Sequence, residues 1–154
     1  MTLNFERLLD RTGCHILRLL QENGRISFSE LGRQVGLSPP AAAERVRKLE
    51  DAGIIAGYQT RISLKKVGLP ITAFISLKTP ATRYPEVVAL ANRAPEVLAC
   101  HHISGDHSFI IQVAVPTVAR LESLIGLFSS YGETHTAIVL SSPVVKQVIE
   151  PGKT

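Results

Sequence analysis

Two stretches of this sequence group side chains that do chemistry. The first is cationic. Glu44-Arg45-Val46-Arg47-Lys48 follows Ser38-Pro39-Pro40-Ala41, and a basic helix that is small at its start suits the major groove of a duplex. The second is Cys100-His101-His102 with Asp106-His107 close behind. Cysteine and histidine ligate zinc, but this spacing is not that of a zinc site. On a strand Cys100 and His102 point one way and His101 the other, so no metal is expected. Asp106 and His107 beside Ser104 or Ser108 make no triad, because sequence neighbours in a turn are not oriented as base and nucleophile. The chain has no Gly-x-Ser-x-Gly, no phosphate-binding glycine loop and no Cys-x-x-Cys. No enzymatic centre and no cofactor are therefore expected.

The cationic residues need a helix held at a fixed angle, and the flanking sequence supplies one. Leu9, Ile16, Leu17 and Leu20 predict an amphipathic helix over residues 6–22, weakened by Gly13 and ended by Asn23-Gly24. Ser27-Phe28-Ser29-Glu30 reads as a capping box, with Glu30 reaching back to the cap. Leu31 and Val35 share one face of the helix that follows, and Gly36 suits a left-handed cap. Ser38 caps the next helix, with Pro39 in its first turn. Two helices joined by Gly36-Leu37-Ser38 have the spacing of a helix-turn-helix. In the second of them Ala42, Val46 and Leu49 face inward. Pro40, Glu44 and Arg47 then lie opposite, with Ala41 and Lys48 to one side. The expected DNA-reading surface is Ser38, Pro40, Ala41, Glu44, Arg47 and Lys48, and the helix start is expected to hold a phosphate. Arg45 and Arg61 support it or hold backbone phosphate; Arg45 flanks the buried stripe and equally suits a structural ion pair. Residues 54–62 read as a strand pair or wing.

Gly68-Leu69-Pro70 marks a boundary. Beyond it Ile71, Ala73, Ile75 and Leu77 alternate with Thr72, Phe74, Ser76 and Lys78 as a strand. Helical stripes follow at Tyr84, Val87, Val88 and Ala91, and at Val118, Leu121, Ile125 and Phe128. Strands are expected at 97–103, 108–115 and 134–140. The order is βαββαβ, a ferredoxin-like unit. With both helices on one face, Phe74, Ile110 and Ile138 are expected on the other, an apolar face suited to a dimer. The fold class is thus α+β: a winged helix-turn-helix over residues 1–61, a linker over 62–70, and a ferredoxin-like domain suited to oligomerisation over 71–154.

Bulk composition agrees. The chain has 154 residues and a formal charge of +4. Its first 70 residues hold 11 Lys/Arg against 7 Asp/Glu, while the rest are balanced at 6 each. The excess sits on the half that carries the helix-turn-helix, as a polyanion partner requires. At 45% hydrophobic residues the chain is not of the disordered class. Two cysteines form no disulfide framework. The first eleven residues have no apolar stretch of a signal peptide, and no segment reads as a membrane span, so a cytoplasmic protein is expected.

The series Leu9-Asp10, Arg25-Ile26-Ser27, Glu30-Leu31, Val35-Gly36-Leu37-Ser38, Arg45-Val46-Arg47-Lys48-Leu49-Glu50, Gly53-Ile54-Ile55-Ala56-Gly57-Tyr58 and Ser104-Gly105-Asp106 resembles the leucine-responsive regulator/AsnC (Lrp/AsnC) family of transcription factors over roughly residues 6–148. The resemblance implies double-stranded DNA as partner, homodimers that associate further to octamers, and DNA bent or wrapped by several heads. It also implies an amino acid or similar metabolite bound near the Gly105 turn. Gly105, Asp106, Ser108, Thr134 and Thr136 fall at the effector positions, Asp106 as an ammonium partner and the Gly105 turn as a carboxylate cradle. Thr134 and Thr136 also read as ordinary strand threonines. The chain departs from the family at Gly13, where an acid is usual, and at Ser108, where Asp is frequent. Two alternatives follow: the siroheme decarboxylases, which resemble this family but carry paired arginines where Ala56-Gly57-Tyr58 stands here, and a ligand-binding oligomer without DNA function.

Overall fold

The computed structural model describes residues 5–146 and 148–152; positions 1–4, 147, 153 and 154 of the expected domains lie outside them. The chain forms two compact units. One runs up to Thr60 and includes the tail from Val144; the other spans Arg61–Pro143.

The first unit is helical. The single helix expected over residues 6–22 is divided, into α1 (Phe5–Leu8) and α2 (Arg11–Glu22). Asp10 divides it by acting as an N-cap: its backbone is extended and its Oδ1 accepts from the Gly13 N–H at 2.8 Å. Gly13 does not weaken this helix. A Cβ there would lie 1.8 Å from the Leu8 carbonyl oxygen, so only glycine lets the two segments fold so tightly together. α3 (Phe28–Val35) starts at Ser27, whose hydroxyl accepts from the Glu30 N–H at 3.2 Å. The other arm of the expected box does not form, because the Glu30 carboxylate is held by Arg33 at 2.6 Å and by Gln34 at 2.6 Å. α3 closes at Gly36 in the left-handed region, and α4 (Pro39–Asp51) starts at Ser38. Ile16, Leu31, Ala42, Val46 and Leu49 form the core between the helices. Residues 54–62, expected as a strand pair or wing, form no strand. They are mostly exposed and find no partner strand; the Ile54 and Ile55 N–H groups instead donate to the Leu49 carbonyl at the end of α4.

The second unit is a four-stranded antiparallel sheet of order β2-β3-β1-β4. Its elements are β1 (Ile71–Lys78), α5 (Tyr84–Arg93), β2 (Val97–His102), β3 (Phe109–Val115), α6 (Val118–Ser129) and β4 (Glu133–Ile138). β3 is central and mostly buried, as its continuous apolar run requires. Ala73, Ile75, Leu77, Ile111 and Val113 pack against Val87, Ala91, Leu121, Leu124 and Phe128 of the helices. In α6 the buried stripe runs through Leu124 rather than Ile125, and Val118 is exposed at the helix start. The opposite sheet face carries Phe74 and Ile110. Ile138 does not join them: it pairs with Ala73 and so shares the helix side, while Ala137 and His135 take the open face opposite Phe74 and Ser76. Strand alternation explains the error, since starting β4 one residue differently swaps its faces.

Candidate nucleic-acid interface and effector region

α4 presents Ser38, Pro40 and Ala41 exposed at its start, then Arg47 and Lys48 one turn and more along. The side chains of Arg47 and Lys48 remain 65% and 56% exposed. Both lean on Glu44: the Arg47 Nη2 donates to Oε2 at 2.5 Å, and the Lys48 Nζ lies 3.6 Å from Oε1. Exposed pairs at this spacing contribute about 0–1 kcal/mol each, so phosphate exchanges for Glu44 at little cost. The carboxylate thus holds both cations together on the exposed side of α4.

The start of α4 differs from expectation. Pro39 and Pro40 have no N–H, and those of Ala41 and Ala42 go to the Ser38 hydroxyl and carbonyl. Residues 39–42 therefore leave no backbone donor free, against the expectation that the helix start holds a phosphate. Arg45 is turned elsewhere. It is 24% exposed, pairs with Asp10 and reaches the Arg7 carbonyl at 3.4 Å. The hydrogen bond from Gly13, assisted by Arg45, keeps the Asp10 carboxyl below its ordinary range against the effect of burial. The ion pair ties α4 to the start of α2, the structural role its position beside the buried stripe suited. Arg61 is exposed at the start of the second unit.

In that unit Ile103 and Ser108 close the turn between β2 and β3, with Gly105 at φ +116 near its tip and Asp106 exposed. Ser108 is buried and its hydroxyl is fully engaged. It donates to the Thr79 carbonyl at 2.9 Å and accepts from the Thr79 N–H at 3.2 Å. Its own N–H donates to the Leu77 carbonyl at 2.8 Å. Ser108 therefore fastens the turn to the end of β1. Thr134 and Thr136 lie opposite Leu77 and Ile75, on the helix side, and the Thr134 hydroxyl bonds Ser129 at 2.8 Å. Between them His135 takes the open face and meets His107 of the turn, with ring nitrogens 3.4 Å apart. The expected effector residues are thus brought to one end of the sheet, Gly105, Asp106 and Ser108 in its turn and Thr134 and Thr136 on the helix side of β4.

The Cys100 group does not converge. Cys100 faces the helices opposite Ile111, where burial pushes its thiol up. His101 takes the other face, and His102 packs edge-on to Tyr84, with ring centres 4.9 Å apart. Among the described residues no group of three or more His, Cys, Asp or Glu side chains is placed to hold a metal, and no helix is long and apolar enough to cross a membrane.

Sequence reasoning missed the Asp10 cap, although an acid three residues before Gly13 is a readable signal. It missed the Tyr58 hydroxyl donating to Glu50 at 2.8 Å. Burial, with the Glu50 carboxylate assisting, pushes that phenol up to about 12. The His107–His135 contact had no local signal, since the two are 28 positions apart.

The AsnC-type helix-turn-helix domain family matches residues 9–50. The Lrp/AsnC ligand binding domain family matches residues 72–149. The chain is 42% identical over 134 residues to the uncharacterized HTH-type transcriptional regulator YezC of Bacillus subtilis, covering 87% of this chain and 95% of that one. It is similar to the structure of LrpC from B. subtilis, with a TM-score of 0.84, 30% identity and coverage of 89% and 98%. A transcriptional regulator from Neisseria meningitidis, solved as a complex with L-Met, matches with a TM-score of 0.84, 29% identity and coverage of 91% and 95%. With both halves matched in order, and a relative this similar along nearly its whole length, the chain belongs to the Lrp/AsnC family of transcriptional regulators.

Proposed function

We propose that this regulator reads double-stranded DNA through α4, joins subunits through its sheet unit, and answers to an amino acid or related small metabolite. The observation that carries the reading is the exposed Arg47–Glu44–Lys48 cluster behind a small, donor-free helix start. Ser38, Pro40 and Ala41 allow close approach to the groove. Arg47 and Lys48 reach base edges or phosphate, and Arg61 adds a backbone contact. The partly apolar open face around Phe74 and Ile110 suits sheet-on-sheet pairing of two copies, which presents two heads to a palindromic site. Further association, to octamers, follows the family. The chain acts on DNA in the cytoplasm as a binding protein, not as an enzyme.

The test is fluorescence anisotropy on a labelled fragment of the gene's own upstream DNA, with excess competitor. Binding survives competitor, and affinity falls about 100-fold between roughly 50 and 200 mM salt if two heads together neutralise about four phosphates. Failure to bind with or without amino-acid pools leaves a ligand-binding oligomer without DNA function.

For the effector, the Gly105 turn offers N–H groups to a carboxylate and Asp106 takes the ammonium. The Neisseria relative with L-Met supports a ligand of this kind. Ser108 serves by bracing the turn. Gly105→Val forces a β-branched residue into a left-handed conformation that L side chains rarely adopt. The expected result is a blunted change in DNA affinity on adding effector, with affinity in its absence unchanged. A normal response moves the ligand elsewhere.

A further inference from the structure

His107 and His135 are brought together by the fold rather than by the chain. Ser108 pins the turn over the end of β1, and β4 pairs with β1 so that His135 faces the same side as Ser76. The His107 Nε2 and His135 Nδ1 are then 3.4 Å apart, with rings nearly perpendicular at 87° and ring centres 5.3 Å apart. A straight N–H···N bond of that length would hold the ring centres roughly 5.7 Å apart. The contact is within hydrogen-bond reach, with the ring centres a little closer than a straight bond would leave them. One Zn²⁺ with bonds of about 2.0–2.1 Å at the tetrahedral angle holds two imidazole nitrogens roughly 3.3 Å apart and their ring centres about 5.2 Å apart. Glu133 adds to the match. Its Oε1 lies 3.9 Å from the His135 Nε2, on the ring edge away from His107. That is beyond hydrogen-bond distance, so the carboxylate contributes negative charge beside the ion and fixes no tautomer.

We infer that His107 and His135 form a two-imidazole clamp for a divalent transition-metal ion of the zinc class. Imidazole suits Zn²⁺, Cu²⁺ and Ni²⁺, whereas Mg²⁺ prefers oxygen ligands. Two protein ligands are fewer than a closed structural site uses, so the remaining positions belong to water and the ion exchanges freely. Bound there, it cross-links the turn carrying Gly105 to β4 at the end of the sheet. The site does not depend on DNA binding or on the amino-acid effector.

Isothermal titration of the tag-free, reduced protein with ZnCl₂ tests it. The expected result is one Zn²⁺ per chain, with no heat from MgCl₂. His107→Gln and His135→Gln each lower the affinity at least tenfold, and the double variant is little worse than either single one, because either change breaks the clamp. His15→Ala, on the exposed side of α2, leaves the affinity unchanged. Glu133→Gln weakens it less than either histidine variant. Circular dichroism verifies that each variant is folded, and X-ray absorption on the zinc-loaded protein reads nitrogen and oxygen neighbours. Equal affinity in the wild type and the double variant overturns the proposal, as does sulfur in the first shell, which would place the ion on Cys14 or Cys100.

Discussion

Arg47→Ala weakens binding to the specific DNA site by about 10–100-fold, or roughly 1–3 kcal/mol, and leaves the assembly state unchanged. The argument rests on what Arg47 does not hold together. Its side chain is exposed and its partner is Glu44, one turn away on the same helix. Removing an exposed pair of this type costs the fold less than about 1 kcal/mol, so the loss appears in DNA binding. Truncation also strips Glu44 of its closer cation and turns a carboxylate toward the duplex. Glu44→Gln should act the opposite way on non-specific DNA: it frees both cations, and affinity for competitor rises. Anisotropy on specific and scrambled fragments, with light scattering for assembly, reads both variants. Unchanged specific affinity in Arg47→Ala would remove α4 from the role of reading helix.

Gly32→Ala is expected to destabilise the helical unit by about 1–3 kcal/mol and abolish DNA binding while the sheet unit stays folded. In most helices this substitution stabilises by about 1 kcal/mol. Here Gly32 is buried where the chain folds back from α3 into α4. A Cβ would lie 2.5 Å from the Leu37 carbonyl oxygen and 3.3 Å from the Ser38 carbonyl carbon. Both are backbone atoms at the joint that sets the angle of α4, so relief of the clash tilts the reading helix. A unit of about 70 residues has little stability to spare. Calorimetry should show the helical transition lowered and the sheet transition kept. Gly36→Asn is the control, since asparagine tolerates the left-handed region. Full DNA affinity in Gly32→Ala would mean that the joint yields without moving α4.

The sequence made the order of elements readable because each rests on local signals. Ser27 and Ser38 as caps, the Gly36 turn and the alternation of β1 are written within a few neighbouring residues. The errors are those of context. Gly13 looked like a flaw in one helix because nothing local says that the Leu8 carbonyl lies against it. Glu30 had a capping partner in reach and took Arg33 and Gln34 instead. Arg45 allowed two roles until Asp10 was seen beside it. At the effector region Ser108 was placed by its position in the chain, and only the pairing with Thr79 reveals a brace. His107 and His135 belong to different segments, so no reading of either alone joins them.

The two hydrophobic clusters share no residue, and that has a consequence for inheritance. A chain with a ruined head, such as Gly32→Ala, keeps the surface by which the proposed assembly forms. Given the assembly proposed above, a copy expressed beside a normal gene is expected to enter mixed assemblies and poison them, a dominant phenotype that co-expression would read. A chain broken in the sheet core, at Ile75 or Ile111, never joins its neighbours and behaves as a recessive loss. The position of a lesion along the gene thereby predicts its genetics.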